Sequence, residues 1–163
     1  MGITYFACAY PSNLVDEVFN DPRVALTINP SIDYWAAEHR KELPTLDLDK
    51  MWHSFQAVTA PPPKTMWFHY PRPAYRMFEG GVAGIDSAGM EWFPWIRVIS
   101  PDETAVISRD LATLDPVLLA KAETRRYGPS DYMAETCAQF LKNAQTFTNE
   151  LIEDGLGFVY SIG

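Results

Sequence analysis

The chain contains three short apolar runs, one near each end and one just past the middle. Residues 3–9, 95–99 and 156–162 are each short, mostly apolar and bounded by residues that favour turns. Runs of this length with such boundaries are typical of buried strands. We therefore predict one strand at each terminus and one between them.

A different apolar pattern occupies the chain between Ser130 and Gly155. There the apolar residues recur at spacings of three and four, which places them on one face of an amphipathic helix. These positions are Met133, Cys137, Phe140, Leu141, Ala144, Phe147, Leu151 and Ile152. We predict a long C-terminal helix that ends at Gly155, since glycine commonly terminates helices.

The sequence Ser100-Pro101-Asp102-Glu103 has the features of a helix start. It places a capping serine before a proline at the first helical position, with a glutamate three residues after the cap. We predict a helix from here to about Leu114 and a second one that begins at Asp115-Pro116. Shorter helices are predicted after Ser12, over residues 30–40 and over residues 74–78.

The segment LDLDKMW, residues 46–52, allows two interpretations. Leu48, Met51, Trp52, Phe55 and Val58 follow helical spacing, so we predict a helix start with Asp47 as the cap and Asp49 in the first turn. Trp52 then faces the core. On a strand, the two aspartates would instead share a face and could hold a cation. A calcium loop needs an oxygen ligand and a glycine where Met51 and Trp52 stand, so we predict no metal site.

Two segments in the middle of the chain interrupt regular structure. Residues 60–73 contain five prolines, which favour extended backbone over helix. The later sequence Glu79-Gly80-Gly81-Val82-Ala83-Gly84 resembles a dinucleotide-binding fingerprint only superficially, because Glu79 replaces the first glycine and no amphipathic helix follows. We predict a turn with close backbone approach at Gly80-Gly81.

Charge restricts the classes of partner. The formal net charge is -8 and the sequence pI is about 4.8, so a nucleic-acid role is not expected without a local basic patch. The longest run of basic residues is Arg125-Arg126.

No apolar stretch is long enough to span a membrane and no signal-peptide pattern is present, so we expect a cytoplasmic protein. Cys8 and Cys137 are expected to be buried thiols, with a disulfide possible but unnecessary.

The sequence contains no convergent catalytic set. His39, His53 and His69 lack metal-ligand spacing, and no serine lies in a nucleophile-elbow motif. We predict no catalytic residue, cofactor or metal. The residues proposed for a binding site are His69, Tyr70, Arg72, Arg76, Glu79, Gly80 and Gly81.

Strand alternation would put Trp92 and Trp95 on opposite faces. Two alternatives follow: both tryptophans lie in the core, or one of them is exposed or lines a pocket.

The order of the motifs resembles that of the YfbM-like family of uncharacterised bacterial proteins. The matching segments are MGITYF, LDLDKMW, EGGVAG, IRVISPDETAVISRDLATLDPVLLAKAE and ELIEDGLGFVYSIG. The family pattern falls on Leu46, Asp47, Leu48, Asp49, Lys50 and Trp52 and on Gly80-Gly81. Gln56 stands where members often have a histidine. The resemblance implies a small single-domain α+β protein without an established activity.

From the pattern and the resemblance together we expect a single α+β domain over residues 1–163. It should contain a small mixed sheet that includes the N- and C-terminal strands, packed by several helices. The leading functional hypothesis is a non-catalytic bacterial protein that binds another protein through an acidic or aromatic surface. The alternative is a small-molecule-binding protein or enzyme with a pocket near Gly80-Gly81. The sequence does not specify the oligomeric state.

Overall fold

A computed structural model of the chain describes residues 3–26, 43–60, 71–85 and 92–163. The strands within these ranges are β1 Tyr5–Tyr10, β2 Thr45–Asp49, β3 Ala83–Ile85, β4 Trp92–Phe93, β5 Trp95–Ile99 and β6 Gly157–Ile162. Four of them form one sheet in the order β2-β1-β6-β5, and each neighbouring pair is antiparallel. Strands β3 and β4 pair separately.

The helices in the described ranges surround this sheet. They are α1 Val15–Asn20, α2 Arg23–Leu26, α3 Trp52–Thr59, α4 Pro101–Leu111, α5 Pro116–Tyr127 and α6 Met133–Asp154. Two 3₁₀ turns cover Ser12–Leu14 and Pro73–Met77. The predicted α+β class, the terminal strands and the long last helix are confirmed. The helix predicted over residues 30–40 lies outside the described residues.

The sheet is antiparallel, whereas a mixed sheet was expected. The two terminal strands pair along their full length, from Tyr5 opposite Ile162 to Tyr10 opposite Gly157. Strand β5 pairs with the other edge of β6, with Ile99 opposite Phe158. The helices between β5 and β6 bring the chain back to the end of the sheet at which β5 finishes. Strand β6 therefore starts beside the last residue of β5 and runs antiparallel to it.

Each face of the sheet has its own apolar layer. Alternation along β1 sends Tyr5, Ala7 and Ala9 to one face, where they join residues of α4 and α6 in the main core. Cys8 and Tyr10 point to the other face and pack with residues of α1 and α2 in a smaller core. The sheet therefore lies between two groups of helices, and its central strands are buried on both faces.

The predicted helix starts at Ser100 and Asp115 are confirmed. The Ser100 hydroxyl accepts from the Glu103 backbone N–H at 3.2 Å, and the Glu103 carboxylate accepts from the Ser100 N–H at 3.0 Å. Asp115 accepts from the Val117 N–H at 2.9 Å. These bonds satisfy backbone donors that have no partner within a helix. Helix α4 ends at Leu111, slightly before the predicted boundary.

The prediction that LDLDKMW starts a helix at Asp47 is wrong. Residues Thr45–Asp49 form strand β2, whose leucines are buried and whose aspartates are exposed, and α3 starts only at Trp52. The Asp47 carboxylate accepts from the Asp49 N–H at 2.7 Å and caps no helix. Pairing with β1 satisfies the backbone of this segment, and alternation buries Leu46 and Leu48. The expectation that Trp52 faces the core is confirmed, since it is 3% exposed.

Candidate functional site

The 3₁₀ turn Pro73–Met77 and the residues around it carry most of the predicted binding site. Arg72 precedes the turn, Arg76 lies within it, and Glu79, Gly80 and Gly81 follow it. His69 and Tyr70 lie outside the described residues. The structure therefore brings five of the seven predicted residues into one short region, packed against α4.

Arg72 binds the C-terminal half of α4. Its guanidinium contacts the Asp110 carboxylate at 2.9 Å and donates to the Thr113 hydroxyl at 2.7 Å. Asp110 also accepts from the Ala74 N–H at 3.0 Å. These bonds join the turn to α4, and they occupy the guanidinium of Arg72 with contacts inside the protein.

Arg76 and Glu79 belong to a second charged group near the start of α4. Arg76 contacts the Glu103 carboxylate and lies 3.7 Å from that of Glu79, which also pairs with Arg97 of β5. Burial raises the pKa of Glu103, but hydrogen bonds from Ser100 and Arg76 outweigh this effect and lower it overall. Burial and the nearby Arg76 lower the pKa of Arg97. The two arginines and two glutamates thus pair with one another.

The indole ring of Trp95 packs directly against the backbone of Gly80, in agreement with the close approach predicted at Gly80-Gly81. Gly80 has a φ of 96°, and a Cβ on it would overlap the indole of Trp95, whereas a Cβ on Gly81 would meet nothing within 4 Å. The Gln56 side chain donates to the carbonyls of Phe78 and Gly80 at 2.9 and 2.8 Å. The Gln56 side chain therefore holds this turn in place.

A shallow hollow of about 270 Å³ lies beside Arg76. Its other lining residues are Pro73, Asp102, Glu103, Val106 and Ile107. Arg76 is therefore the one member of the predicted set, among the described residues, that lines this hollow. The charges of the turn are compensated locally, and ligand binding by these residues stays a prediction.

A larger groove between α3 and α5 was missed by the sequence interpretation. It encloses about 490 Å³ and is lined by residues of both helices. The lining residues are His53, Ser54, Ala57, Val58, Leu118, Lys121, Ala122, Arg125 and Arg126. The spacing of Leu118, Lys121, Ala122 and Arg125 marks one face of α5 and was the available signal, but it does not reveal which helix lies opposite.

Two consecutive residues of β5, Trp95 and Ile96, are apolar and exposed. Trp95 and Ile96 are each 37% exposed, although one points to each face of the strand. In the sheet formed by the described residues, β5 is an outer strand that pairs with β6 alone. Trp95 is therefore an exposed tryptophan, which is one of the two alternatives predicted for Trp92 and Trp95.

The remaining chemical groups of the described residues show no further convergence. Cys8 and Cys137 are buried and form no disulfide, and burial together with Glu123 raises the pKa of Cys137. Within residues 3–26, 43–60, 71–85 and 92–163, no three histidine, cysteine or acidic side chains come together in a way that could hold a metal ion. No helix in these ranges has the length and apolar character needed to cross a membrane.

The architecture defines an α+β fold in which a four-stranded antiparallel sheet lies between helices. A solved structure with this fold is that of a protein of unknown function, YfbM from Escherichia coli. It matches with a TM-score of 0.56 and 16% sequence identity, over 99% of this chain and 100% of that chain. No family model and no curated protein matches the chain. The fold expected from the YfbM-like resemblance is thereby confirmed.

Proposed function

We propose that this protein is a non-catalytic cytoplasmic bacterial protein that binds another protein along the outer strand β5. The observation that carries the proposal is the adjacent exposure of Trp95 and Ile96 on that strand. Exposed aromatic and aliphatic groups are typical of the centres of protein interfaces. An outer strand also offers unpaired backbone groups to an extended segment of a partner.

The surroundings of β5 support a preformed docking surface. Trp95 lies against Gly80, whose turn is held by Gln56 and by the Tyr160 hydroxyl, which lies 3.0 Å from the Glu79 carbonyl. Burial raises the pKa of Tyr160, so its hydroxyl is a donor at neutral pH. A rigid aromatic side chain loses little conformational entropy when a partner covers it.

The charges favour a partner with a basic surface. The net charge is -8, and the charged groups beside β5, including Arg76 and Arg97, are paired with glutamates. Local compensation leaves β5 without a strong field of its own, while the whole molecule attracts positively charged proteins. We expect association to become slower as the salt concentration rises.

The experiment compares two variants with the same chemical change. Ile96→Asp places a carboxylate on β5, and Ile152→Asp does the same on α6, where Ile152 is 42% exposed. Proteins retained from the native host by the wild type would be identified, purified and titrated against both variants. We expect at least about a tenfold loss of affinity for Ile96→Asp, the effect of an unpaired interface charge, and no loss for Ile152→Asp.

Equal affinity of the purified partner for all three proteins would refute the β5 surface. Equal loss in both variants would also refute it, since that result would indicate a dependence on net charge alone. Circular dichroism melting curves of the two variants establish that each is folded before its affinity is interpreted.

A further inference from the structure

We infer that the groove between α3 and α5 binds a small molecule that carries a phosphate group on an apolar body. The volume of about 490 Å³ falls within the range of roughly 300–1,000 Å³ that small-molecule sites occupy. This site is separate from β5 and does not depend on the protein partner proposed above. Four observations on the groove support the inference.

The groove concentrates basic residues in an acidic protein. Lys121 and Arg125 are four residues apart on α5 and share a face, and Arg126 lines the same groove. Among the described residues, none of these three side chains forms an ion pair with a carboxylate. The arginines that do contact a carboxylate are Arg23, Arg72, Arg76 and Arg97. Like charges held close together without a counterion favour the binding of an anion.

The side chain of Arg126 is positioned by the neighbouring Tyr127. Its Nε donates to the Tyr127 hydroxyl at 3.0 Å, and its guanidinium carbon lies 5.4 Å from the centre of the Tyr127 ring. These contacts use one of the five N–H donors of the guanidinium. The others can reach phosphate oxygens, for which the planar guanidinium is well suited.

His53 lines the groove beside the basic residues. Its ring stacks on Trp52 with 3.6 Å between centroids, which orients it at the groove wall. Burial and the charge of Arg126 lower its pKa to about 4, so the imidazole is neutral at pH 7 and retains one N–H donor. The Glu123 carboxylate on α5 is buried and accepts a hydrogen bond from the Ser54 hydroxyl.

The remaining wall of the groove is aliphatic. It is formed by Ala57 and Val58 of α3 and by Leu118 and Ala122 of α5. An apolar group of the ligand can cover this wall, while the charged group lies at the basic edge. Three cations suit a phosphate monoester, which carries about -1.5 to -2 charges at pH 7, better than a single carboxylate.

The test uses phenyl phosphate, inorganic phosphate and benzoate as probes of the full chain. Binding is followed by isothermal titration calorimetry and by the NMR signals of the His53 imidazole. We expect phenyl phosphate to bind in saturable fashion, to shift the His53 signals, and to raise the His53 pKa, because the dianion reverses the local potential. We expect inorganic phosphate, which lacks the apolar body, and benzoate, which has the smaller charge, to bind more weakly.

Two double variants provide the control. Lys121→Gln with Arg125→Gln removes two charges from the groove. Lys142→Gln with Arg109→Gln removes one charge each from α6 and α4, and neither side chain pairs with a carboxylate of the described residues. The groove variant should bind phenyl phosphate at least about tenfold more weakly, the scale of lost charged hydrogen bonds. The control should bind within about twofold of the wild type, and melting curves establish that both are folded.

Several outcomes would overturn the inference. They are the absence of saturable binding at millimolar phenyl phosphate, unmoved His53 signals, or equal weakening in the two double variants. Inorganic phosphate or benzoate binding as tightly as phenyl phosphate would overturn the assigned ligand class. Loss of the protein partner in the Ile96→Asp experiment leaves this result unaffected, because the two surfaces share no residue.

Discussion

Replacement of Gly80 by alanine tests how the turn beside β5 is built. The φ of 96° at Gly80 is a conformation that costs an L-residue about 1–3 kcal/mol. The new methyl group would also overlap the Trp95 indole, which must move away and lose part of its packing, at a further cost of about 1–2 kcal/mol. We therefore expect Gly80→Ala to lower the free energy of unfolding by about 2–5 kcal/mol.

The two contributions can be separated with a second substitution. In a Trp95→Ala background the overlap is absent and only the backbone strain of about 1–3 kcal/mol remains. The double-mutant cycle should therefore give a coupling energy of about 1–2 kcal/mol between Gly80 and Trp95. Gly81→Ala is the matched control, because its Cβ meets no atom within 4 Å, and we expect a change within about 0.5 kcal/mol.

Urea denaturation followed by circular dichroism measures the free energy of unfolding of the wild type, the three variants of the cycle and the Gly81→Ala control. Wild-type stability of Gly80→Ala would show that the turn does not adopt the described conformation. A coupling energy near zero would show that Trp95 does not cover Gly80. Equal destabilisation by Gly80→Ala and Gly81→Ala would refute the distinction between the two glycines.

Two further predictions follow from the LDLDKMW region and its neighbour His53. Trp52→Ala should cost about 3–5 kcal/mol because it empties a buried site, whereas Asp47→Ala should cost at most about 1 kcal/mol because it removes one exposed hydrogen bond; urea denaturation measures both. Between pH 6.5 and about pH 4, His53 is protonated in the unfolded chain but still neutral in the folded chain. The free energy of unfolding should therefore decline as the pH falls through this range. His53→Gln should reduce this decline in melting temperature.

Each of these predictions has an opposite outcome that would contradict it. A loss of several kcal/mol in Asp47→Ala would restore the helix-cap interpretation of that residue. An equal decline of the melting temperature with pH in wild type and His53→Gln would mean that His53 titrates normally. Because His53 is only partly buried, we expect its contribution to be about 1–2 kcal/mol after allowance for solvent.

The local sequence predicted the ends of helices correctly where side chains bond to backbone groups of the adjacent turn. Ser100, Pro101 and Asp115 specify the starts of α4 and α5 because their side chains and ring geometry act on the adjacent turn. Gly155 ends α6 in the left-handed conformation, with a φ of 65°. Strand β5 takes its backbone partners from β6, yet its limits were predicted correctly because prolines and a capping serine bound the short apolar run.

The segment LDLDKMW shows why local sequence was insufficient elsewhere. Leu46 and Leu48 fit the two-residue period of a strand, while Leu48, Met51 and Trp52 fit helical spacing, so the segment contains both patterns. Only pairing with β1, which is distant in sequence, supplies the backbone partners that make β2 a strand.

The candidate sites depend on tertiary structure for the same reason. The four residues Arg76, Glu79, Arg97 and Glu103 come from the 3₁₀ turn, the residues after it, β5 and α4. No spacing in the sequence links Arg97 and Glu103 to the other two. The groove needs α3 and α5 to lie side by side, although the shared face of Lys121 and Arg125 on α5 follows from the sequence alone. Sequence thus determined which side chains each element presents. Packing of elements distant in the chain decided which of them meet, because contacts between such elements form only when the whole core is assembled.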